Sequence, residues 1–334
     1  MILCVTLNPC LDKTLVVPAW NPGDSVRGTS VRQVVGGKGN NVARALRCLG
    51  RAARPVTFLG GPTGILCEHL LRQDDQLDPI VAPTEATTRT ILTVKTEDGP
   101  EPTAFFDPDP AITPAEADDL LRRVERELAG NAVEALALSG SSPSPSTHGV
   151  YSDLICMARA RRVPVFLDTY GPLLDGIWGF WPEAIHINRR EAALMLRRQR
   201  PTDDDVFTLM ARWADHGVRC GVVTDGPDAV LVRVEDRTYR ILPPSIDAVN
   251  PIGSGDCLLA GLIDGWLAEK PVEEMVKRGI ACAVANALTW DAGNLDPEEV
   301  GRLESECTLE EARVAPAPAS PVRASGLSRR NVKR

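Results

Sequence analysis

The stretch ALALSGSSPSPSTHGVYSDLICMARARRVPVFLD (135–168) predicts a strand, a helix and a second strand in succession. The apolar run 135–138 ends at a turn rich in serine and proline, and 163–167 is a second apolar run. Between these runs, residues 149–161 have apolar side chains at helical spacing. Two strands joined through a helix are typical of neighbouring parallel strands. This stretch therefore predicts an α/β protein.

The same alternation continues on both sides of this stretch. Further helices are predicted at 114–129, 206–216, 255–268 and 272–289, and further strands at 2–7, 185–187 and 220–224. Such alternation predicts a mostly parallel sheet with helices on both faces. The early strands at 14–17 and 26–35, and a hairpin of 90–95 with 103–106 around Glu97 to Pro100, interrupt the alternation. We expect them to form a small separate sheet.

Composition excludes several classes of protein. The net charge of −8 argues against a nucleic-acid-binding body, which needs a basic face. No apolar run approaches the about 20 residues that span a bilayer, and the N-terminus lacks a basic leader, so no membrane association and a cytoplasmic location are expected. The nine cysteines are odd in number and have no CxxC spacing, which disfavours a disulfide framework or a zinc site.

The last 23 residues, 312–334, differ from the rest of the chain. They are rich in proline, alanine, serine and arginine, and they include six basic residues and no acid. This composition predicts a disordered basic tail, with an anion-binding arm as the alternative. The net charge of −8 includes these six positive charges, so residues 1–311 carry −14.

The strongest motif is NPIGSGD (250–256), which is followed directly by the apolar residues CLLAG. Pro251 and two glycines let the backbone turn tightly before a helix begins. The N-terminus of a helix offers unpaired N–H groups and a positive dipole end, which make an anion site. A carboxylate at such a site, Asp256, indicates a base that accepts a proton from an attacking hydroxyl. The alternative is an aspartate that caps its helix.

A second glycine-rich motif, GGKGNN (36–41), precedes the apolar helical pattern of 41–49. Lys38 is one of only six lysines in the chain, and its ammonium could reach a bound anion or hydroxyl. The segment is not a Walker A loop, and no GxGxxG occurs, so dinucleotide binding has no support. A plain loop is the alternative interpretation.

Three further groups of polar residues have two interpretations each. Asp12 follows the first strand, where an aspartate can cap a turn or accept hydrogen bonds from sugar hydroxyls. Arg27 and Arg89 belong to the predicted small sheet, where an arginine is commonly solvated surface. Asn188 and Glu191 share one helix face, which suits hydrated Mg²⁺ but also fits a capping box.

Taken together, these motifs resemble the ribokinase-like (PfkB) sugar kinases from residue 1 to about residue 296. Seven motifs occur in the family's order and spacing: TLNPCLD (6–12), GGKGNNVA (36–43), LSGS (138–141), VPVFLD (163–168), NRRE (188–191), VVTDG (222–226) and NPIGSGD (250–256). The NPIGSGD form and the start of the chain are most similar to the branch that acts on ketohexose monophosphates, tagatose-6-phosphate kinase and 1-phosphofructokinase.

The resemblance implies a Rossmann-like kinase domain over 1–311 with a small β lid, from about 13–36 and 88–107, which often serves as a homodimer contact. It implies ATP and Mg²⁺ as cofactors and Asp256 as the catalytic base. The implied anion hole is Gly253, Ser254 and Gly255. The implied sugar contacts are Asp12, Gly37, Lys38 and Asn41, with Arg27 and Arg89 for the sugar's phosphate. The implied nucleotide contacts are Asn188, Thr224, Gly226 and Asn286, with Asn188 and Glu191 holding Mg²⁺ through water.

Four positions depart from the family's pattern. His186 replaces a lysine, which removes a cation near the nucleotide, and Asp225 replaces an apolar residue. Asp109 stands between two prolines where the family has glycine, and 142–145 replaces a proline-glycine pair. The expected function is phosphorylation of a ketohexose monophosphate, either tagatose 6-phosphate or fructose 1-phosphate, to the bisphosphate. The alternatives are a kinase of an unphosphorylated sugar or nucleoside and a non-catalytic sugar-phosphate-binding protein.

Overall fold

A computed structural model describes residues 1–96, 102–177 and 182–312 of the chain. The turn predicted at Glu97 to Pro100 lies outside the described residues, and so does the predicted basic tail, apart from Ala312. The N–H of Ala312 donates to the carbonyl of Thr238, 2.9 Å away.

The larger of two sheets has ten strands in the order β14-β13-β12-β11-β10-β9-β8-β1-β4-β5. These are β1 (Ile2–Thr6), β4 (Ala53–Gly60), β5 (Ile80–Thr84), β8 (Ala135–Ser139), β9 (Val165–Asp168), β10 (Ala184–Asn188), β11 (Cys220–Thr224), β12 (Val230–Val234), β13 (Arg237–Leu242) and β14 (Thr308–Glu311). The strands from β5 to β11 are parallel, and the last three are antiparallel. The predicted mostly parallel sheet is therefore confirmed.

The smaller sheet has four strands in the order β3-β2-β6-β7. They are β2 (Cys10–Val17), β3 (Ser30–Gly36), β6 (Arg89–Thr96) and β7 (Thr103–Phe106). β6 and β7 are antiparallel, which confirms the predicted hairpin, whereas β2 and β6 are parallel. β3 begins four residues later than predicted, and residues 20–27 before it are largely exposed.

Helices cover both faces of the large sheet. The described residues contain α1 (Lys38–Cys48), α2 (Gly61–Gln73), α3 (Pro114–Ala129), α4 (Val150–Ala160), α5 (Pro172–Asp175), α6 (Arg189–Leu196), α7 (Asp203–Asp215), α8 (Ser254–Leu267), α9 (Val272–Ala287) and α10 (Pro297–Glu306). None of these helices is long and apolar enough to cross a membrane.

Alternate residues of β1 enter two separate cores. Ile2 and Cys4 pack in the core that contains α1, α8 and α9, whereas Leu3 and Val5 pack in the core that contains α3, α4 and α7. Because successive side chains of a strand point to opposite faces, both faces of the sheet are buried. The first of these cores positions the N-terminal ends of α1 and α8, where the glycine-rich motifs lie.

α1 begins at Lys38, three residues before the predicted start. Gly37 precedes the helix with a φ of +113°, a conformation that a side chain disfavours. A Cβ atom at Gly37 would lie 2.6 Å from Thr6 Cγ2 at the end of β1. The polar GGKGNN segment is therefore a tight turn followed by the first turn of the helix, and not an extended loop.

Candidate active site

The two glycine-rich motifs meet where α1 and α8 begin. Asn41, in the first turn of α1, donates from Nδ2 to Asp256 Oδ2 in the first turn of α8, at 2.7 Å. Both residues are buried. Sequence positions more than 200 residues apart thus form one site at the carboxyl ends of the parallel strands.

The N-terminus of α8 has the features of an anion site. Gly253 precedes the helix with a φ of +85°, and a Cβ atom there would lie 2.7 Å from Ala292 Cβ. No side chain caps this end of the helix. The first N–H groups of a helix lack partners within it. The N–H of Ser254 donates to the carbonyl of Pro251 at 3.2 Å, so those of Gly255 and Asp256 are the ones suited to an anion.

Asp256 is a buried carboxyl group whose pKa is close to neutrality. Burial and the negative charge of Asp168 raise the pKa of Asp256 to about 7, against the opposing charge of Lys38. The hydrogen bond from Asn41 holds one carboxylate oxygen in place. A carboxylate with this pKa can accept a proton from a hydroxyl at physiological pH.

Lys38 extends from α1 into a group of carboxylates. Its Nζ lies 2.7 Å from Asp168 Oδ1 and 3.3 Å from Glu191 Oε1. Burial lowers the pKa of Lys38, but the carboxylates of Asp168, Glu191 and Asp256 outweigh burial and hold it above its ordinary value. Burial likewise raises the pKa of Asp168, but Lys38 and His186 keep it below its ordinary value. Lys38 and Asp168 are therefore a charged pair.

His186 connects Asp168 to the nucleotide side of the predicted site. Its Nδ1 lies 3.1 Å from Asp168 Oδ2, and its Nε2 lies 3.1 Å from Thr224 Oγ1. A Cβ atom at Gly255 would lie 3.0 Å from His186 Cε1, so the imidazole packs beneath the N-terminus of α8. The position at which the family has a lysine thus carries a buried, hydrogen-bonded ring.

The predicted nucleotide residues Thr224 and Gly226 lie at the end of β11. Gly226 is exposed and has a φ of +59°. Asp225 between them forms an ion pair with Arg189, whose Nε lies 2.7 Å from Asp225 Oδ2. The additional negative charge of Asp225 is therefore balanced by an arginine at the start of α6.

Asn286, predicted to lie near the adenine, is 1% exposed at the end of α9. Its Nδ2 donates to the carbonyl of Ile252 at 2.9 Å and to Ser254 Oγ at 3.2 Å. Its Oδ1 accepts from the N–H of Gly293 at 2.8 Å. The side chain thus supports the loop that ends in Asp256, and both of its polar atoms are used within the protein.

Asn188 and Glu191 form a capping box at the start of α6. Asn188 Oδ1 accepts from the N–H of Glu191, and Glu191 Oε2 accepts from the N–H of Asn188, each at 2.9 Å. No cluster of three or more metal-ligating side chains occurs among the described residues. Glu191 Oε1 also lies 3.3 Å from Lys38 Nζ, so the predicted binding of hydrated Mg²⁺ by these two residues stays a prediction.

The predicted sugar residues surround the start of α1. Burial raises the pKa of Asp12, against the opposing charge of Arg44. Arg44 donates from Nη1 to Asn41 Oδ1 at 2.6 Å, and its Nε lies 2.8 Å from Asp75 Oδ1. Arg44 therefore fixes the orientation of the Asn41 amide, which in turn donates to Asp256.

The two arginines predicted to bind the sugar's phosphate lie in different surroundings. Arg89, at the start of β6, is 15% exposed in its side chain, and its Nη1 lies 2.9 Å from Asp109 Oδ1. Arg27 is exposed and lies between β2 and β3. Arg89 lies close to Asn8 and to Asp12, and its positive charge acts to lower the pKa of Asp12. Arg27, by contrast, lies on the surface.

Asp168 and Arg44 are site residues to which sequence reasoning assigned no role. Asp168 ends β9, and a carboxylate at the carboxyl end of a buried parallel strand is a signal that could have identified it. Arg44 had no such signal, because its contact with Asp75 is fixed only by the packing of α1. Asp109 was identified as a departure from the family's pattern, but its pairing with Arg89 had no signal in the sequence.

The fold and these side chains together define an α/β protein with a buried carboxylate at the uncapped N-terminus of a helix. A model of the pfkB family of carbohydrate kinases matches residues 5–298. The chain therefore belongs to the PfkB family of carbohydrate kinases.

Solved structures of other proteins agree with this assignment. A Thermotoga maritima protein described as a "possible 1-phosphofructokinase" has 26% identity and a TM-score of 0.83, over 93% of this chain and 99% of that one. Escherichia coli phosphofructokinase-2, solved with potassium, has 25% identity and a TM-score of 0.81, over 91% of this chain and 98% of that one.

Proposed function

We propose that this protein phosphorylates a ketohexose monophosphate to the bisphosphate at the expense of ATP, with Asp256 as the general base. The observation that carries the proposal is the placement of Asp256 in the first turn of α8, with a pKa of about 7. A carboxylate repels a phosphate, so its presence at an anion site is explained best by a proton that it must accept.

The proposed reaction is a phosphoryl transfer from ATP to a sugar hydroxyl. The hydroxyl proton moves to Asp256 as the sugar oxygen forms a bond to the γ-phosphorus. The bond between the γ-phosphorus and the β–γ bridging oxygen breaks, and ADP leaves. The loop of Gly253, Ser254 and Gly255 would face the negative charge that develops on the transferred group, with the N–H of Gly255 donating to it.

The sugar would lie between the start of α1 and the small sheet. The Asp12 carboxylate would accept from sugar hydroxyls, and Asn41 and Lys38 would contact the acceptor end of the sugar. Gly37 leaves room for the ligand beside the backbone. Arg89 is the better candidate for the substrate's phosphate, because Arg27 is exposed between two strands.

The nucleotide would lie on the other side of Asp256. Thr224 and Gly226, at the end of β11, and Asn188, at the start of α6, would face the nucleotide. Asn188 and Glu191 would hold Mg²⁺ through its water. The metal, when bound, neutralises charge on the phosphate oxygens.

The motifs favour tagatose 6-phosphate or fructose 1-phosphate as the substrate. The similarity to the Thermotoga maritima protein supports the second of these. One observation favours an unphosphorylated sugar or a nucleoside instead: Arg89 already forms an ion pair with Asp109. A non-catalytic sugar-phosphate-binding protein is the third candidate, and the balanced charge of Asp225 weakens it.

A panel of substrates tests the proposal. ADP formation would be measured with fructose 1-phosphate, tagatose 6-phosphate, fructose 6-phosphate, fructose and a nucleoside. We expect the highest kcat/KM with a ketohexose monophosphate. Faster turnover of fructose or of the nucleoside would refute the assignment of a phosphorylated sugar as the substrate. The absence of turnover with every substrate would refute the proposed kinase activity.

We further propose that two copies associate through the small sheet in the cytoplasm, where ATP is available. Phe105 and Phe106 of β7 are 52% and 65% exposed, and Val31 of β3 is 57% exposed. Large apolar side chains grouped on one small sheet favour a protein contact.

A further inference from the structure

Arg89 is partly neutralised by a carboxylate of the protein itself. Asp109 Oδ1 lies 2.9 Å from Arg89 Nη1, and it also accepts from Asn8 Nδ2 at 2.9 Å. Arg89 Nη2 in turn donates to the carbonyl of Asn8 at 3.4 Å. One carboxylate oxygen thus accepts from the Asn8 amide and pairs with the Arg89 guanidinium, which an incoming phosphate would use.

The backbone around Asp109 is held in place on both sides. Asp107 exchanges hydrogen bonds with Thr90, next to Arg89, at 2.8 and 3.0 Å. The N–H of Ile112 donates to Ser144 Oγ at 3.3 Å. Asp109 itself lies between Pro108 and Pro110, which restrict the backbone to extended conformations. Asp109 is therefore presented to Arg89 by a stiff segment, and its side chain, which is 47% exposed, can move more readily than its backbone.

Two buried polar atoms beside this pair lack a partner. They are Arg89 Nε, a donor, and Asn8 Oδ1, an acceptor, and no described residue satisfies either of them. A carboxylate only accepts hydrogen bonds, so Asp109 requires the Asn8 amide to present Nδ2 and leaves Oδ1 for another group. A sugar hydroxyl can both donate and accept, so it could satisfy both Arg89 Nε and Asn8 Oδ1. A phosphate dianion only accepts, and it would meet Asp109 as a like charge.

We propose that Asp109 is a specificity-determining residue, whose carboxylate competes with the phosphate of a sugar phosphate for Arg89 and weakens the binding of a sugar phosphate relative to that of an unphosphorylated sugar. The inference rests on the proposed function in one respect, namely that Arg89 belongs to the sugar site. A phosphate must turn Asp109 toward solvent before it can bind Arg89, whereas a hydroxyl binds with the ion pair intact. A glycine at this position would impose no such competition.

Binding measurements without ATP test this competition directly. The dissociation constants of fructose 1-phosphate, tagatose 6-phosphate, fructose 6-phosphate and fructose would be measured by calorimetry for the wild type and for Asp109→Asn, Arg89→Ala and the double variant. We expect Asp109→Asn to tighten the binding of at least one sugar phosphate about tenfold, because a charged competitor is removed. The binding of fructose should change much less.

Two controls separate this effect from others. Asp118→Asn removes the same charge from an exposed position on α3. It should change the dissociation constants of neither the sugar phosphates nor fructose, which would exclude an effect of net charge. In the Arg89→Ala background, Asp109→Asn should tighten sugar-phosphate binding less than it does with Arg89 present, because only the like-charge repulsion by Asp109 is then removed. Asp109→Gly removes the side chain altogether and should change the binding in the same direction.

Several outcomes would overturn the inference. If Asp109→Asn and Asp109→Gly leave sugar-phosphate binding unchanged or weaken it, Asp109 is a brace that orients Arg89. An equal tightening in the absence of Arg89 would place the competition elsewhere. The proposed kinase function fails separately: if no variant turns over ATP but the expected tightening occurs, the competition stands and the catalytic proposal does not.

Discussion

Asp256 has a carboxyl group that is 5% exposed, hydrogen-bonded to Asn41 and placed at the N-terminus of a helix without a side-chain cap. Asp256→Asn keeps the shape of the side chain and its acceptor oxygen but cannot accept the substrate's proton. We expect the variant to fold, to bind the sugar and to lose about 10²–10⁴-fold in kcat. The measurement is ADP formation together with sugar binding by calorimetry. Turnover within a few-fold of the wild type would reduce Asp256 to a structural residue.

The raised pKa of Asp256 predicts two pH dependences. The base must be ionised, so kcat/KM should rise with pH through about 7. Stability should change in the opposite direction. Between the ordinary value of 3.8 and about 7 the folded protein holds a proton that the unfolded chain has lost, so this group's contribution to stability falls as pH rises.

The same linkage gives a stability test on Asp256→Asn. Above pH 7 the wild type must bury a charge that the variant lacks, and near pH 5 the two buried groups are both neutral. We expect the variant to be more stable than the wild type by on the order of 2–4 kcal/mol at pH 8, and by much less at pH 5. Denaturant unfolding at both pH values measures the difference. An equal difference at the two pH values would contradict the raised pKa.

Single residues of the site differ in how far the sequence predicts them. Asp256, Lys38 and Asn41 stand in glycine-rich motifs whose backbone requirements are local, and the structure brings all three together. The contact of Asp168 with His186 depends instead on the register of β9 against β10, which pairs these residues across 18 positions of sequence. The pairing of Arg89 with Asp109 depends likewise on the path of the chain after β7. Such contacts follow from tertiary packing and have no local signature.

At the scale of elements, the start of α6 combines a cap with a predicted metal site. Glu191→Gln can still accept the hydrogen bond of the capping box, but it loses the charge that would attract hydrated Mg²⁺. We expect the Mg²⁺ concentration for half-maximal rate to rise several-fold, with little change in the unfolding temperature.

A second capping box supplies the matched control for this metal prediction. Thr202 and Asp205 cap α7 in the same geometry as Asn188 and Glu191 cap α6. Asp205→Asn also removes a carboxylate from the third position of a helix, so it should leave the Mg²⁺ titration unchanged. If Glu191→Gln behaves in the same way, Glu191 serves the capping box and the ion pair with Lys38 and holds no metal.

Elements with strong local signals were predicted, and elements that contain helix and strand breakers were not. The bounds of α3 follow from its capping box at Thr113 and its apolar stripe, and they match the prediction. α2 was missed because Gly61, Pro62 and Gly64 occupy its first turn, although proline is tolerated there. β5 was missed because it contains Pro83, which is accepted only because β5 is an edge strand.

At the scale of the whole molecule, the small sheet is joined to the loop that supports the anion site. Arg32 of β3 pairs with Asp291, and Lys95 Nζ of β6 lies 4.3 Å from the centroid of the Trp290 ring. Asp291 and Trp290 both belong to the segment after α9. In this segment the N–H of Gly293 donates to Asn286, and the Asn286 amide in turn donates to residues 252 and 254. The small sheet therefore contacts the same segment that supports the start of α8, in addition to contributing Asp12 and Arg89 to the site.

The exposed apolar surface of the small sheet leads to the last prediction, which concerns association. Its two edge strands, β3 and β7, carry Val31, Phe105 and Phe106, all more than half exposed. Edge strands also have unpaired backbone groups. A second copy of the chain could therefore cover apolar side chains and unpaired backbone groups together. We expect light scattering to give twice the 36.0 kDa mass of the chain. Phe106→Ser should shift the protein toward the monomer, whereas Leu194→Ser, on α6 and also 65% exposed, should not. A monomeric wild type, or equal effects of both substitutions, would contradict association through this sheet.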